Sequence, residues 1–388
     1  MTRLVTLVIV DADGEVGALD PFEVELPWWV ETASITGHVR AQHDVDVDVL
    51  RLLATERAVP HGGGVTYSAR CDVAMPGLLP VDREVRDLAT VGHPLRAAYA
   101  EVDGPSTSLG WARDVLGRDA RAVQQRTWNL SAIWRLDDGS ASSWLKQVPV
   151  FFAHEAAVLT WLGERVPDLA PPLLGAGEHG RMLLGHVEGS DLYGADAATR
   201  ARIAARAHEI QVAGIADADA LVAVGVPDRR GDHLVPWIRD RLDGLVGDHP
   251  AAALLDDLDA RWESVQQCGL PDTLVHGDAH PGNVIEGERL VVVDWGDSIV
   301  GSPAFDVATL TAGLSPDAAG PVVDAWCDLW SRTAPGCDPR RALDLVRPVA
   351  ELRMAAVYAD FLAQIEPTER VYHRADVPQR LDAAVAAR

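Results

Sequence analysis

The sequence predicts an α+β chain of two lobes, a small β-rich one and a large helical one, preceded by a separate α/β segment. Three observations carry that expectation. Strand-like apolar runs cluster in the first half of the chain, while alanine-rich amphipathic stretches dominate after residue 187. The polar octet from His276 to Asn283, HGDAHPGN, is set between two short apolar runs. A single lysine, Lys146, lies in a strand-like run far upstream, in a chain whose other 33 basic residues are arginine.

Taken in order, residues 1–85 are strand-rich. Leu4 to Val10 reads as a buried strand, Asp11-Ala12-Asp13-Gly14 as a turn and Val65 to Arg70 as a further strand, and residues 30–43 can form a helix between them. Residues 86–120 are rich in charge and small side chains around Gly104-Pro105; they predict a connector with short helices, one of them over Leu109–Gly117. From residue 121 the pattern changes to strands, with Trp128-Asn129-Leu130-Ser131 and Asp137-Asp138-Gly139 at their turns and Trp144 to Val148 as the run that holds Lys146. Glu155 opens EAAVLTWLGERV, where Val158, Leu159 and Leu162 mark one helical face. Met182 to Leu184 is a last strand, which bounds the β-rich lobe at 121–187 and leaves 188–388 to the helical lobe. There, stretches such as ATRARIAARAHEIQVAGIA have helical composition, and Trp237, Trp262, Trp326 and Trp330 read as core.

The octet contains what phosphoryl transfer needs. A carboxylate must orient and deprotonate the acceptor, and separate oxygen ligands must hold magnesium against the phosphates. Asp278 can do the first; Asn283 and Asp294 can do the second. The spacing His-x-Asp-x4-Asn is that of a kinase catalytic loop, and Asp294-Trp295-Gly296, eleven positions after Asn283, has the form of the kinase metal motif. Leu274-Val275 and Leu290 to Val293 read as short strands, so both acids emerge where strands end. Two plainer readings compete: a loop whose Asp and Asn cap turns, and a transition-metal site made by His276, Asp278 and His280. Neither explains the second Asp-x-Gly at kinase spacing.

Lys146 adds an independent signal. Where a solvated positive charge suffices, lysine and arginine exchange freely; a compact ammonium differs from a planar guanidinium where it must sit between phosphates and a carboxylate.

On these residues the chain, over roughly 121–388, resembles the aminoglycoside phosphotransferase and choline kinase-like family of small-molecule kinases, which share the protein-kinase-like fold. The resemblance implies that Asp278 is the catalytic base, Asn283 and Asp294 hold magnesium, and Lys146 contacts the nucleotide phosphates with Glu155 as its partner. It also implies that His276 and Asp306 support the loop, and that Leu184-Gly185-His186-Val187 forms the adenine-contacting hinge. ATP and Mg2+ are the cofactors it implies. The chain departs from the kinase pattern in lacking a glycine-rich G-x-G-x-x-G loop, and only nine residues separate Lys146 from Glu155. After Gly296 the chain reaches Pro303 and Asp306 within ten residues, with no Ala-Pro-Glu segment on which a peptide could dock. A small hydroxylated acceptor is therefore expected, with Asp297, Trp295, Glu351, Arg353, Tyr358 and Asp360 as candidates to line its site. The run from Glu366 to Arg374 is expected to cover that cleft. Asp278, Asp297 and Glu351 or Asp360 would give a negative field favouring sugars, aminosugars or aminocyclitols over acids. The alternative is a nucleotide-binding pseudokinase with a regulatory role.

The strand, helix, strands order of residues 1–85 resembles a Nudix domain, with Ala41 and Gln42 where that family needs metal-binding glutamates, so scaffolding or binding is expected there and not hydrolysis. The balance of 34 basic against 58 acidic residues, net −24, opposes nucleic-acid or anionic-membrane partners. Four cysteines without a CxxC pair, no apolar run of spanning length and no signal-like start lead to the expectation of a cytoplasmic protein with reduced thiols.

Overall fold

Strand β1 (Arg3–Val10) reads RLVTLVIV and is buried at nearly every position, as suits a strand with neighbours on both edges and cover on both faces. In this computed structural model, which describes residues 2–388, β1 is central to a five-stranded sheet with β2 (Val16–Ala18), β3 (Phe22–Val24), β4 (Val47–Thr55) and β5 (Gly63–Cys71). It runs parallel to β5 and antiparallel to β2 and β3, and β4 closes the other edge of β5. Helix α1 (Ala33–His43) joins β3 to β4 and carries Ala41 and Gln42, both exposed, in its last turn. Two further helices follow: α2 (Arg83–Thr90), capped by the Asp82 side chain accepting from Val85 N, and α3 (Gly104–Leu116), which stops at left-handed Gly117.

A second sheet has the order β6-β7-β8-β10-β9 and is formed by β6 (Arg121–Trp128), β7 (Ser131–Asp137), β8 (Ser142–Gln147), β9 (Leu173–Gly177) and β10 (Arg181–Gly185). Gln124 on β6 joins the two sheets by acting as a strand neighbour. Its Oε1 accepts from Val49 N at 2.8 Å and its Nε2 donates to Val49 O at 2.7 Å, satisfying both polar groups of a buried β4 residue. Both sheets belong to one compact unit, residues through Ala153 with 174–186 and 362–375.

The second unit comprises 154–173, 187–361 and 376–388. It opens with α4 (Glu155–Arg165) and continues through β11 (Ser190–Asp191), α5 (Ala197–Gly214), α6 (Ala218–Ala223), α7 (Gly231–Leu242), α8 (Ala252–Asp256) and α9 (Leu258–Gln266). The strands β12 (Thr273–Val275), β13 (Val284–Glu286), β14 (Leu290–Val292) and β15 (Ile299–Gly301) come next, and α10 (Ala304–Thr311), α11 (Pro316–Thr333), α12 (Pro339–Gln364) and α13 (Asp376–Ala386) complete it. Asp196 and Ser315 cap α5 and α11 through Thr199 N and Ala318 N. Trp262, Trp326 and Trp330 are buried as expected; Trp237 lies half-covered beneath the Arg229 guanidinium, 4.0 Å from its ring. The antiparallel pairs β12–β15 and β13–β14 frame the octet His276–Asn283.

The run 366–374, expected to cover the acceptor cleft, is packed within the first unit. There its Val371 and Tyr372 enter the apolar core of β1, β4 and β5, and Glu366 bonds Arg96 through both its oxygens at 2.8 and 3.2 Å. Remote arginines make its carboxylates buriable, and that pairing is invisible locally.

Candidate active site

The buried strand β12 ends at Val275, and the next residues are held from behind by α10. Asp306, in the first turn of that helix and 4% exposed, accepts from His276 N at 3.1 Å, Gly277 N at 3.0 Å and the Gln211 side chain at 2.8 Å. Burial pushes its pKa up, against the pull of His276 and of these bonds. Gly277 has φ +84°, and a Cβ there would fall 2.0 Å from Asp297 O, so only glycine fits. From α12, buried Arg353 donates to the Gly277 carbonyl, with its guanidinium 5.4 Å from the Phe305 ring. It faces Asp297, Asp306 and Asp278, whose charges oppose the lowering of its pKa by burial.

His276 ties the loop to the metal motif. Its Nδ1 accepts from Asp278 N at 3.3 Å, which assigns the proton to Nε2, and Nε2 lies 2.9 Å from Val293 O. Val293 N in turn donates to Asn283 O at 2.9 Å. Through Val293, Asn283 and Asp294 are brought together across eleven residues of chain. With both ring nitrogens of His276 engaged by backbone, the transition-metal reading loses a ligand. Among the described residues, no group of three His, Cys, Asp or Glu side chains forms a metal site.

Asp278 is half-buried, and both contacts of its carboxylate involve Oδ2: Asn283 Nδ2 at 3.3 Å and His280 Nε2 at 3.5 Å. His280 Nδ1 accepts from Gly282 N at 3.0 Å, so its proton sits on Nε2, towards Asp278. Asn283 Nδ2 also donates to Asp278 O at 3.0 Å, which fixes the amide and directs its Oδ1 elsewhere. Asp294 has left-handed backbone, φ 65°, tolerable for aspartate; it is exposed while Trp295 beside it is 1% exposed. Trp295 donates Nε1 to Val292 O at 3.0 Å and its backbone N to Glu155 Oε1 at 3.1 Å. An amide oxygen and a carboxylate are the hard donors magnesium prefers.

Burial and Arg229 push the neighbouring His154 down to about 4, against bonds to the backbone of Ser298 and Gly296 that favour its charged form. It is half-buried, and no motif in the sequence marks it. In the first unit, Lys146 lies on β8, the middle strand of its sheet, opposite Ile133 and Met182, and is 7% exposed. The chain leaves that unit between His186 and Val187, with His186 Nδ1 accepting from Trp144 at 3.0 Å.

A cavity of about 460 Å³ opens beside Asp278. Of the six acceptor-site candidates, only Glu351 lines it. Trp295 and Arg353 are buried behind the loop, Asp360 pairs with Arg241 at 2.8 Å, Tyr358 lies against Arg380, and the Asp297 carbonyl packs on Gly277. The wall also holds His280 of the octet and Arg200, Arg347, Arg380 and Tyr193, four residues that no sequence motif marks. Three arginines face two carboxylates there, so the expected acidic field is absent. The spacing Arg347, Ala350, Glu351, Met354 on one face of α12 was the available signal.

A β-rich unit with one buried lysine and a helical unit with this loop constitute the protein-kinase-like fold of small-molecule phosphotransferases. The chain belongs to the phosphotransferase enzyme family, whose model matches residues 110–343. Solved structures share the fold at low identity. An ethanolamine kinase from Plasmodium vivax aligns with TM-score 0.55 and 13% identity over 80% of this chain and 97% of its own. A choline/ethanolamine kinase family protein from Mesorhizobium loti gives 0.53 and 16% over 74% and 94%. The choline kinase LicA from Streptococcus pneumoniae gives 0.51 and 14% over 66% and 88%. No curated protein matches the sequence.

Proposed function

We propose that the protein transfers the γ-phosphoryl group of ATP, with magnesium, to a hydroxyl of a small molecule bound in the cavity beside Asp278. The observation that carries this reading is the disposition of the Asp278 carboxylate: Oδ2 is engaged by Asn283 and His280, and Oδ1 is left to accept a proton in a cavity of about 460 Å³. That volume suits a small-molecule acceptor, for which roughly 300–1,000 Å³ is usual.

The acceptor O–H gives its proton to Asp278 Oδ1 as its oxygen bonds the γ-phosphorus. The bond from that phosphorus to the bridging oxygen breaks, and ADP leaves. Asn283 Oδ1 and the Asp294 carboxylate are the ligands we assign to magnesium, which when bound would neutralise phosphate charge. Lys146 is assigned to the nucleotide phosphates, Glu155 to ordering the metal motif through Trp295 N, and the segment Leu184 to Val187 to the base. Among the described residues no helix is long and apolar enough to cross a membrane.

Asp278→Ala should lower turnover about a thousandfold, the range of general-base contributions, and leave nucleotide affinity by calorimetry nearly unchanged. Equal ADP release by variant and parent, with any accepted substrate, would remove Asp278 from the reaction, whereas nucleotide binding by the parent with no ADP release from any acceptor would favour a regulatory protein. Lys146→Arg keeps the charge but replaces a compact ammonium with a longer planar group. We expect turnover to drop by about tenfold or more; full activity would return Lys146 to a structural role.

A further inference from the structure

The charges around the cavity run against the composition of the chain. With 58 acidic residues for 34 basic ones, arginines here generally find carboxylates, yet two on the cavity wall do not. Glu351, the carboxylate one helical turn after Arg347, is held instead by Arg380 at 2.9 Å. Arg347 is left with one long contact, Nη1 to Thr311 Oγ1 at 3.4 Å. Arg200 is anchored by backbone alone, Nε to Ala195 O at 3.1 Å and Nη1 to Leu310 O at 2.6 Å. Among the described residues neither guanidinium has a carboxylate partner. Asp278 is committed to its loop and to the hydroxyl, so no carboxylate on this wall is free to bind an ammonium group.

On the phosphotransfer reading above, we propose that the acceptor carries an oxyanion, a carboxylate or a phosphate, beside the hydroxyl that reacts, and that Arg347 with Arg200 binds it. A guanidinium matches the planar fork of either oxyanion and holds it with two charge-assisted hydrogen bonds. Arg200, pinned through Nε and Nη1, fixes where its remaining nitrogen points; Arg347, nearly unrestrained, completes the grip. An amino alcohol would meet two uncompensated positive charges. The amino-alcohol kinases of similar fold are 13–16% identical and carry the fold alone.

The test uses two matched series with the full-length chain and ATP–magnesium: glycerol, ethanolamine, glycerate and glycerol 3-phosphate; and glucose, glucosamine, glucuronate and glucose 6-phosphate. Thermal stabilisation reports binding, and ADP release reports transfer. The anionic members should stabilise the parent and be the better substrates, with the carboxylate and phosphate arms separating the two oxyanions. Arg347→Gln should raise KM for the anionic acceptor by about tenfold to a hundredfold, as loss of a hydrogen bond to a charged group does, with KM for ATP unchanged. Arg347→Lys, which keeps the charge, should recover part of that loss and excludes misfolding as the cause. Preference for neutral or amine members, an anionic preference that survives Arg347→Gln, or no anion-dependent stabilisation in either series overturns the proposal. Asp278→Asn separates the two readings: it should abolish ADP release from every acceptor yet keep the stabilisation by anions. Loss of that stabilisation in Arg347→Gln alone then speaks to the oxyanion and not to the chemistry.

Discussion

Asp306 and Glu369 are both buried carboxylates, 4% and 5% exposed, and burial pushes the pKa of each upward. They differ in what answers the charge. Asp306 accepts three hydrogen bonds, two of them from the loop that carries Asp278, with Arg353 gripping the same loop from the other side. Glu369 accepts one long bond, from Leu52 N at 3.4 Å, and has Glu366 for a neighbour, whose negative charge adds to the upward push. Arg51 and Arg96, the latter bonded to Glu366 at 2.8 Å, supply the compensating charge. A buried carboxylate with a full set of donors rigidifies backbone and so positions a reactive neighbour. One with too few donors fastens a returning chain segment, with a strength that follows its protonation.

The sharpest way to break the comparison is Asp306→Ala. It strands two buried backbone N–H groups, so we expect a loss of about 3 kcal/mol of stability in urea unfolding, and a fall in kcat of about a hundredfold or more from displacement of Asp278. Asp306→Asn, which keeps one acceptor oxygen, should lie between. A kcat unaffected by either change would detach the loop from its proposed support.

Glu369 gives the smaller effect, and its sign follows from the direction of the shift. Its pKa is raised from 4.5 to about 8 in the folded chain, chiefly by burial. Below pH 4.5 both states hold the proton; between pH 4.5 and 8 the unfolded chain releases it and the folded chain keeps it, so stability falls as pH rises through that window. Denaturant midpoints measured across the window should show a decline of a few kcal/mol at most, flattened in Glu369→Gln. A decline of equal size in the variant would assign the pH dependence to other groups. No comparable flattening of activity is expected, since Glu369 belongs to the unit without the catalytic loop.

The two regions also differ in how much of them can be read from the chain. The proposed catalytic loop is nearly continuous: Asp278 and Asn283 lie five residues apart and Asp294 eleven further on, all at strand ends, so the purpose we assign them is visible in the spacing. Lys146 is legible for another reason: it is the one lysine among 34 basic residues, which singles it out for the phosphate contact we propose. The strands and helices around these residues follow from apolar periodicity, and the structure has them within a few residues of the expected spans.

Covalent order therefore determined the elements, the loop chemistry and the class of reaction that this sequence points to. Tertiary packing alone decided which face of α12 meets the cavity: Arg347 lines it and Arg353, six residues on, is buried behind the loop, a distinction that depends on what packs against each side of the helix. Packing also decided the fate of Glu366 and Glu369, which belong to a polar run expected to cover the acceptor cleft. Carboxylates are buried only where countercharge and donors await them, and theirs come from Arg51, Leu52 and Arg96, about 270 residues or more earlier in the chain.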